Sequence, residues 1–105
     1  MDEEETIEAF AVTDSNIVNR VTSFLGIPII IVFGWLNNKY VSIFSVDHND
    51  HRLVVLYPGI CPVLRNDRLR IRGKMDYGGK IGVYGMIMKA CNIENMDTGD
   101  IYEKI

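Results

Sequence analysis

The chain has 105 residues and a mass of 12.0 kDa, is 48% hydrophobic and 24% charged, and carries a formal net charge of −3. One domain's length of chain with that apolar content excludes wholesale disorder, coiled coil and collagen. The longest apolar run, Phe24 to Leu36, covers 13 residues, short of the ~20 that a membrane-spanning helix needs.

The opening Met-Asp-Glu-Glu-Glu is the reverse of a basic signal-peptide start. No membrane partner is expected. Residues 1–14 hold six acids and no Lys or Arg, and read as a loose acidic segment. Asp14-Ser15 can cap a short helix, because a side-chain oxygen there accepts an orphan N–H. Ile17, Val18, Val21, Phe24 and Leu25 follow at helical spacing, but several are β-branched or aromatic, so a strand lead-in competes. Gly26 and Pro28 end either element.

Strands separated by short turns are expected from there on. Ile29 to Leu36 is rich in β-branched and aromatic residues. Asn37-Asn38 turns into a second strand, Tyr40 to Val46. Asp47 to Asp50 turns again, and Arg52 to Leu56 is the third. Pro58, Gly59 and Pro62 interrupt the pattern, and Arg68 to Met75 is the fourth. Asp76-Tyr77-Gly78-Gly79 reads as a hairpin turn into a fifth strand, Lys80 to Ala90. The expected body is 15–95, and 96–105 is a second loose acidic end.

The fourth strand alternates strictly. Leu69, Ile71 and Met75 fall on one face, and Arg68, Arg70, Arg72 and Lys74 on the other. Cations in such a row repel one another, so the row gains most beside an anion or interleaved acids. The charge is polarised along the chain: −6 over 1–14, +5 over 15–95 and −2 over 96–105. A basic body thus carries two acidic ends. These are either solvated fringes or competitors with an anionic ligand for the basic face.

Five short strands with an irregular stretch between the third and fourth resemble the OB-fold, and short motifs add to that layout. Ile29 to Leu36, with its late Gly34 followed by Trp35, is similar to the first OB strand. Tyr40 to Asp47 is similar to the second. Asn66-Asp67-Arg68-Leu69-Arg70-Ile71-Arg72-Gly73-Lys74 resembles the G-D-x-V-x-V-x-G-x-V entry into the fourth, with Asn66 in place of glycine. Gly79-Lys80 to Glu94 resembles the closing strand. Over 25–94 the chain resembles OB domains of the single-stranded-DNA-binding, replication-protein-A-like and tRNA-anticodon-like type.

The resemblance implies an all-β, five-stranded Greek-key barrel, with the N-terminal helix as an optional addition. It also implies a binding groove across strands two and three, where bases stack on aromatics and cations track the backbone. Carried onto this sequence, the groove takes Trp35, Lys39, Tyr40, Phe44, Arg52, Tyr77 and Lys80, flanked by Arg70, Arg72 and Lys74. Tyr40 and Phe44 face outward if Val41 and Ile43 face the core. The expected ligand is single-stranded DNA or RNA, DNA favoured, bound without cofactor. The competing expectation is an assembly subunit that meets a protein partner or a second copy through Ile27–Leu36, which is apolar on both faces.

No catalytic constellation is found, and no enzyme is expected. Asp47-His48-Asn49-Asp50-His51 holds potential metal ligands, but turn chemistry explains Asp and Asn there, so no metal is expected. Gly78-Gly79-Lys80 lacks the spacing of a phosphate loop. Cys61 and Cys91 form no CxxC pair and read as small hydrophobes with reduced thiols. This suits a cytoplasmic protein, or a nuclear one in a eukaryote.

Overall fold

Alternation of small apolar residues with glutamates builds the first strand. In Glu4–Ala11 (β1), Ile7, Ala9 and Ala11 are buried while Glu4, Glu8 and Phe10 are exposed. The structure, a computed structural model, describes residues 3–19, 23–24, 27–28, 40–81 and 85–103. After β1 come β2 (Asn16–Asn19), β3 (Ser23–Phe24), β4 (Ile27–Pro28), β5 (Tyr40–His48) and β6 (His51–Tyr57). Then follow β7 (Arg68–Tyr77), a 3-10 turn (Gly78–Ile81), β8 (Met86–Asn95) and β9 (Ile101–Glu103). Among the described residues there is no α-helix; Asn16–Asn19, expected as helix or strand lead-in, is a strand paired with β5.

The pairings return to their starting point. β1 pairs β7, β7 pairs β8, β8 pairs β6, β6 pairs β5, and β5 pairs β1 again through Phe10–Asp47 and Ala11–Val46. Every step is antiparallel except β6–β8. One continuous core results, built from Ile7, Phe44, Val46, Leu53, Val55, Leu69, Ile71, Met88 and Ile93 with the alanines of β1 and β8. Each such large side chain contributes about 1.5–3 kcal/mol over leaving it exposed. Val41, Ile43, Leu56 and Ile87 are buried too, but lie outside that cluster, so β5, β6 and β8 are apolar on both faces.

Several expectations are corrected. Over its described residues the acidic 1–14 segment is not loose: Glu4 to Phe10 pairs β7 residue by residue. The acidic end is not loose either, since Ile101–Glu103 pairs β8. Its turn is held by Asn95, whose Oδ1 accepts the N–H groups of Asp97 (3.0 Å) and Thr98 (3.2 Å). The fifth expected strand lies further along, at Met86–Asn95, because Asp76 and Tyr77 extend β7 and Gly78–Ile81 forms the 3-10 turn. The expected strand Ile29–Leu36 lies outside the described residues.

Two local features fix the geometry around β7. Between Arg72 and Gly73 the β7–β8 register shifts, leaving Cys91 as the extra residue. A Cβ on Gly73 would sit 2.2 Å from the Lys89 carbonyl oxygen, so only glycine fits there. The β6–β7 connection is drawn inward: Cys61 and Val63 join the core. Ser42 Oγ donates to the Gly59 carbonyl at 2.7 Å and accepts the Cys61 N–H at 2.8 Å.

Candidate nucleic-acid interface

Four cations stand on the exposed face of β7, and the strands on either side supply acids. Glu8 lies directly opposite Arg70 on one side and Glu94 on the other, and Arg70 reaches both, at 3.4 and 3.2 Å. Arg72 reaches diagonally to Glu4 at 3.4 Å and across Asn92 to Glu103 at 3.2 Å. Asn92 Nδ2 donates to the same Glu103 carboxylate at 3.1 Å. The Arg68 N–H is taken by Asp97 Oδ2 at 2.9 Å. Arg70 and Arg72 of the row expected to track phosphates are therefore interleaved with the chain's own carboxylates, Glu4 and Glu8 of β1, Glu94 of β8 and Glu103 of β9. This is the arrangement in which a row of like charges is stable. Each exposed pair contributes about 0–1 kcal/mol, with the shared arginines linking them into a network.

The aromatic candidates divide. Phe44 is 2% exposed and sits in the core, not on a platform. Both faces of β5 are apolar, and the larger ring fills the interior while Val41 and Ile43 take the other side. Tyr40, at the start of β5, is half-buried. Tyr77 is 63% exposed at the end of β7. Phe10, which sequence reasoning passed over among the acids of β1, is 57% exposed between Arg68 and Asp47. Lys74 is exposed on β7, and Lys80 belongs to the 3-10 turn. Trp35 and Lys39 lie outside the described residues.

Arg52 differs from Arg70 and Arg72. Among the described residues its guanidinium faces one carboxylate, Asp47, at 3.7 Å, and its side chain is 66% exposed. It borders a cavity of about 420 Å³ lined by His48, Asn49, His51, Arg52, Leu53, Met75, Gly85 and Met86. That volume falls within the roughly 300–1,000 Å³ usual for small-ligand sites. Met75 and Met86 pack against the core cluster, so the floor is apolar; the imidazoles, the amide and the guanidinium give a polar rim. The rim is placed by a two-residue turn. Asn49 (φ 51°) and Asp50 (φ 63°) both take the left-handed conformation that suits a tight hairpin. His48 and His51 are thereby directly paired. Asn49 Nδ2 lies 3.2 Å from His48 Nε2.

The thiols offer no nucleophile. Burial pushes the Cys61 thiol up to about 12. Burial, then the Glu4 carboxylate, raises Cys91, whose Sγ donates to Glu4 Oε2 at 3.5 Å. Tyr57 is likewise pushed up to about 12 by burial, then by Cys61 and Glu103. Among the described residues, no group of three or more His, Cys, Asp or Glu is placed to hold a metal ion, and none forms a helix long and apolar enough to cross a membrane. Of the cavity's lining, the sequence singled out Arg52 as a site residue; the histidines flanking Asn-Asp were weighed there as metal ligands and set aside in favour of turn chemistry. No family model, curated protein or solved structure matches the chain.

Proposed function

We propose that the chain is a five-stranded barrel of the OB type that binds single-stranded nucleic acid, DNA in preference to RNA, and performs no catalysis. What carries the reading is the pairing order, in which five strands close on themselves with a single parallel step. The binding surface is centred on Arg52, the cavity beside it and the exposed Tyr77, not on the β7 arginines. Exposed rings supply stacking of about 1–3 kcal/mol per base, and cations hold phosphates. Fluorescence anisotropy with labelled single-stranded DNA, RNA and duplex at low and moderate salt tests it. Affinity for the single strands should fall steeply with salt, because phosphate contacts release counterions. Absence of binding to any strand at low salt ends the proposal.

A second reading, an assembly subunit, draws on a different observation. Ile60 and Leu64 are exposed on the β6–β7 connection, alternating with buried Cys61 and Val63. The expected contact through Ile27–Leu36 lies, beyond Pro28, outside the described residues. Sedimentation at rising concentration distinguishes the two: self-association without oligonucleotide affinity favours the second.

A further inference from the structure

We infer that the cavity bounded by the β5–β6 turn, Met75 and Gly85–Met86 is a pocket for one nucleotide: a planar heteroaromatic base with its phosphate on Arg52. The inference rests on the nucleic-acid reading and deepens it, by adding a base-reading subsite to a groove otherwise expected only to stack and track.

Three observations converge on this ligand class. The floor is apolar and polarisable, lined by Leu53 of the core and by Met75 and Met86, which pack against it, and thioether sulfur packs well against an aromatic ring. The rim offers the groups that a base edge needs. Asn49 carries both a carbonyl acceptor and an amide donor. His48 and His51 stand directly across the hairpin from each other as flat rings. The third is charge: Arg52 lines the same cavity, projects well into solvent, and among the described residues is held by a single carboxylate at 3.7 Å. A guanidinium so loosely engaged can exchange that carboxylate for a phosphate, which it binds through two parallel N–H groups. The ion-paired Arg70 and Arg72 face two carboxylates each and cannot do so as readily.

The pocket is also built in advance. Its rim hangs on a two-residue turn fixed by two left-handed residues, and its floor rests on the core. Little ordering is then needed on binding, which favours affinity for a small ligand.

Methionine methyl NMR provides the test, because Met75 and Met86 line the cavity while Met88 is wholly buried and Met96 lies in the turn after β8. The protein is titrated with AMP, adenosine, inorganic phosphate and a short single-stranded DNA, each alone. A base in the pocket should shift the Met75 and Met86 methyls by ring current and leave Met88 and Met96 in place. Shifts with AMP assign a free nucleotide, and shifts with the oligonucleotide alone assign a nucleotide within a strand. Arg52→Ala should weaken AMP, or the oligonucleotide where only that binds, by about tenfold. If the oligonucleotide binds by anisotropy while both methyls stay still, the pocket is overturned and the broader reading stands. If nothing binds, both fall.

Discussion

Arg70 and Arg52 are the same residue type at two places on one molecule, and their surroundings differ. Arg70 stands between Glu8 and Glu94 at 3.4 and 3.2 Å. Arg52 has Asp47 at 3.7 Å and a cavity beside it. The first is spent on holding strands together, and the second remains available to an incoming anion. A count of basic residues, or even a basic strand face, therefore says little about phosphate binding until the cross-strand neighbours are known.

Perturbing each region separately should break or sharpen that contrast. The largest effect is expected at Gly73, which holds β7 against β8. Gly73→Ala places a methyl against the Lys89 carbonyl and should lower stability by about 3 kcal/mol or more in urea unfolding. Next, Arg70→Glu with Arg72→Glu sets like charges across both strand pairs. It should cost about 2 kcal/mol of stability, less at high salt, and leave oligonucleotide affinity within about twofold. A large affinity loss in a folded double variant would reverse the assignment of the two sets of arginines. Arg52→Glu should do the opposite, weakening oligonucleotide binding by about tenfold while the melting midpoint barely moves.

The smallest effect is a slope in alkali. The Cys61 thiol titrates near 9 when unfolded and near 12 when folded, so above pH 9 the unfolded chain releases a proton that the folded chain keeps. Stability should be full below pH 9 and decline from there towards pH 12, by about 1 kcal/mol over the first unit. Tyr57, raised from 10.0 to about 12, adds to the decline above pH 10. Cys61→Ala should flatten the first part of the curve, read by denaturant titrations from pH 8 to 11.

Local chemistry was the legible part of this chain. β5, β6 and β7 lie close to where alternation and turn residues put them: Tyr40–His48, His51–Tyr57 and Arg68–Tyr77 against expected strands at 40–46, 52–56 and 68–75. β1 escaped notice because its inward residues are mostly alanine, and its glutamates read as a solvated tail. The orientation of Phe44 was undecidable from alternation, since both faces of β5 carry apolar residues. The neutralisation of Arg70 was hidden for another reason. Its partners lie 62 residues before it and 24 after it, and only the strand order brings them together. The cavity was invisible on the same ground, because it joins a hairpin to a distant strand end.

The long separation of β1 from β7 bears on how the chain is made. During synthesis β1 leaves the ribosome well before the strand that will flank most of its length, 62 residues later at the Glu8–Arg70 pair. Until then it is a naked edge with an apolar side, the kind of segment that invites pairing with another nascent chain. Glutamates at 4, 5 and 8 guard it meanwhile, acting as gatekeepers against self-templating. Of these, Glu4 and Glu8 later engage Arg72 and Arg70, so the same carboxylates that keep the unpaired edge charged come to tie it to β7.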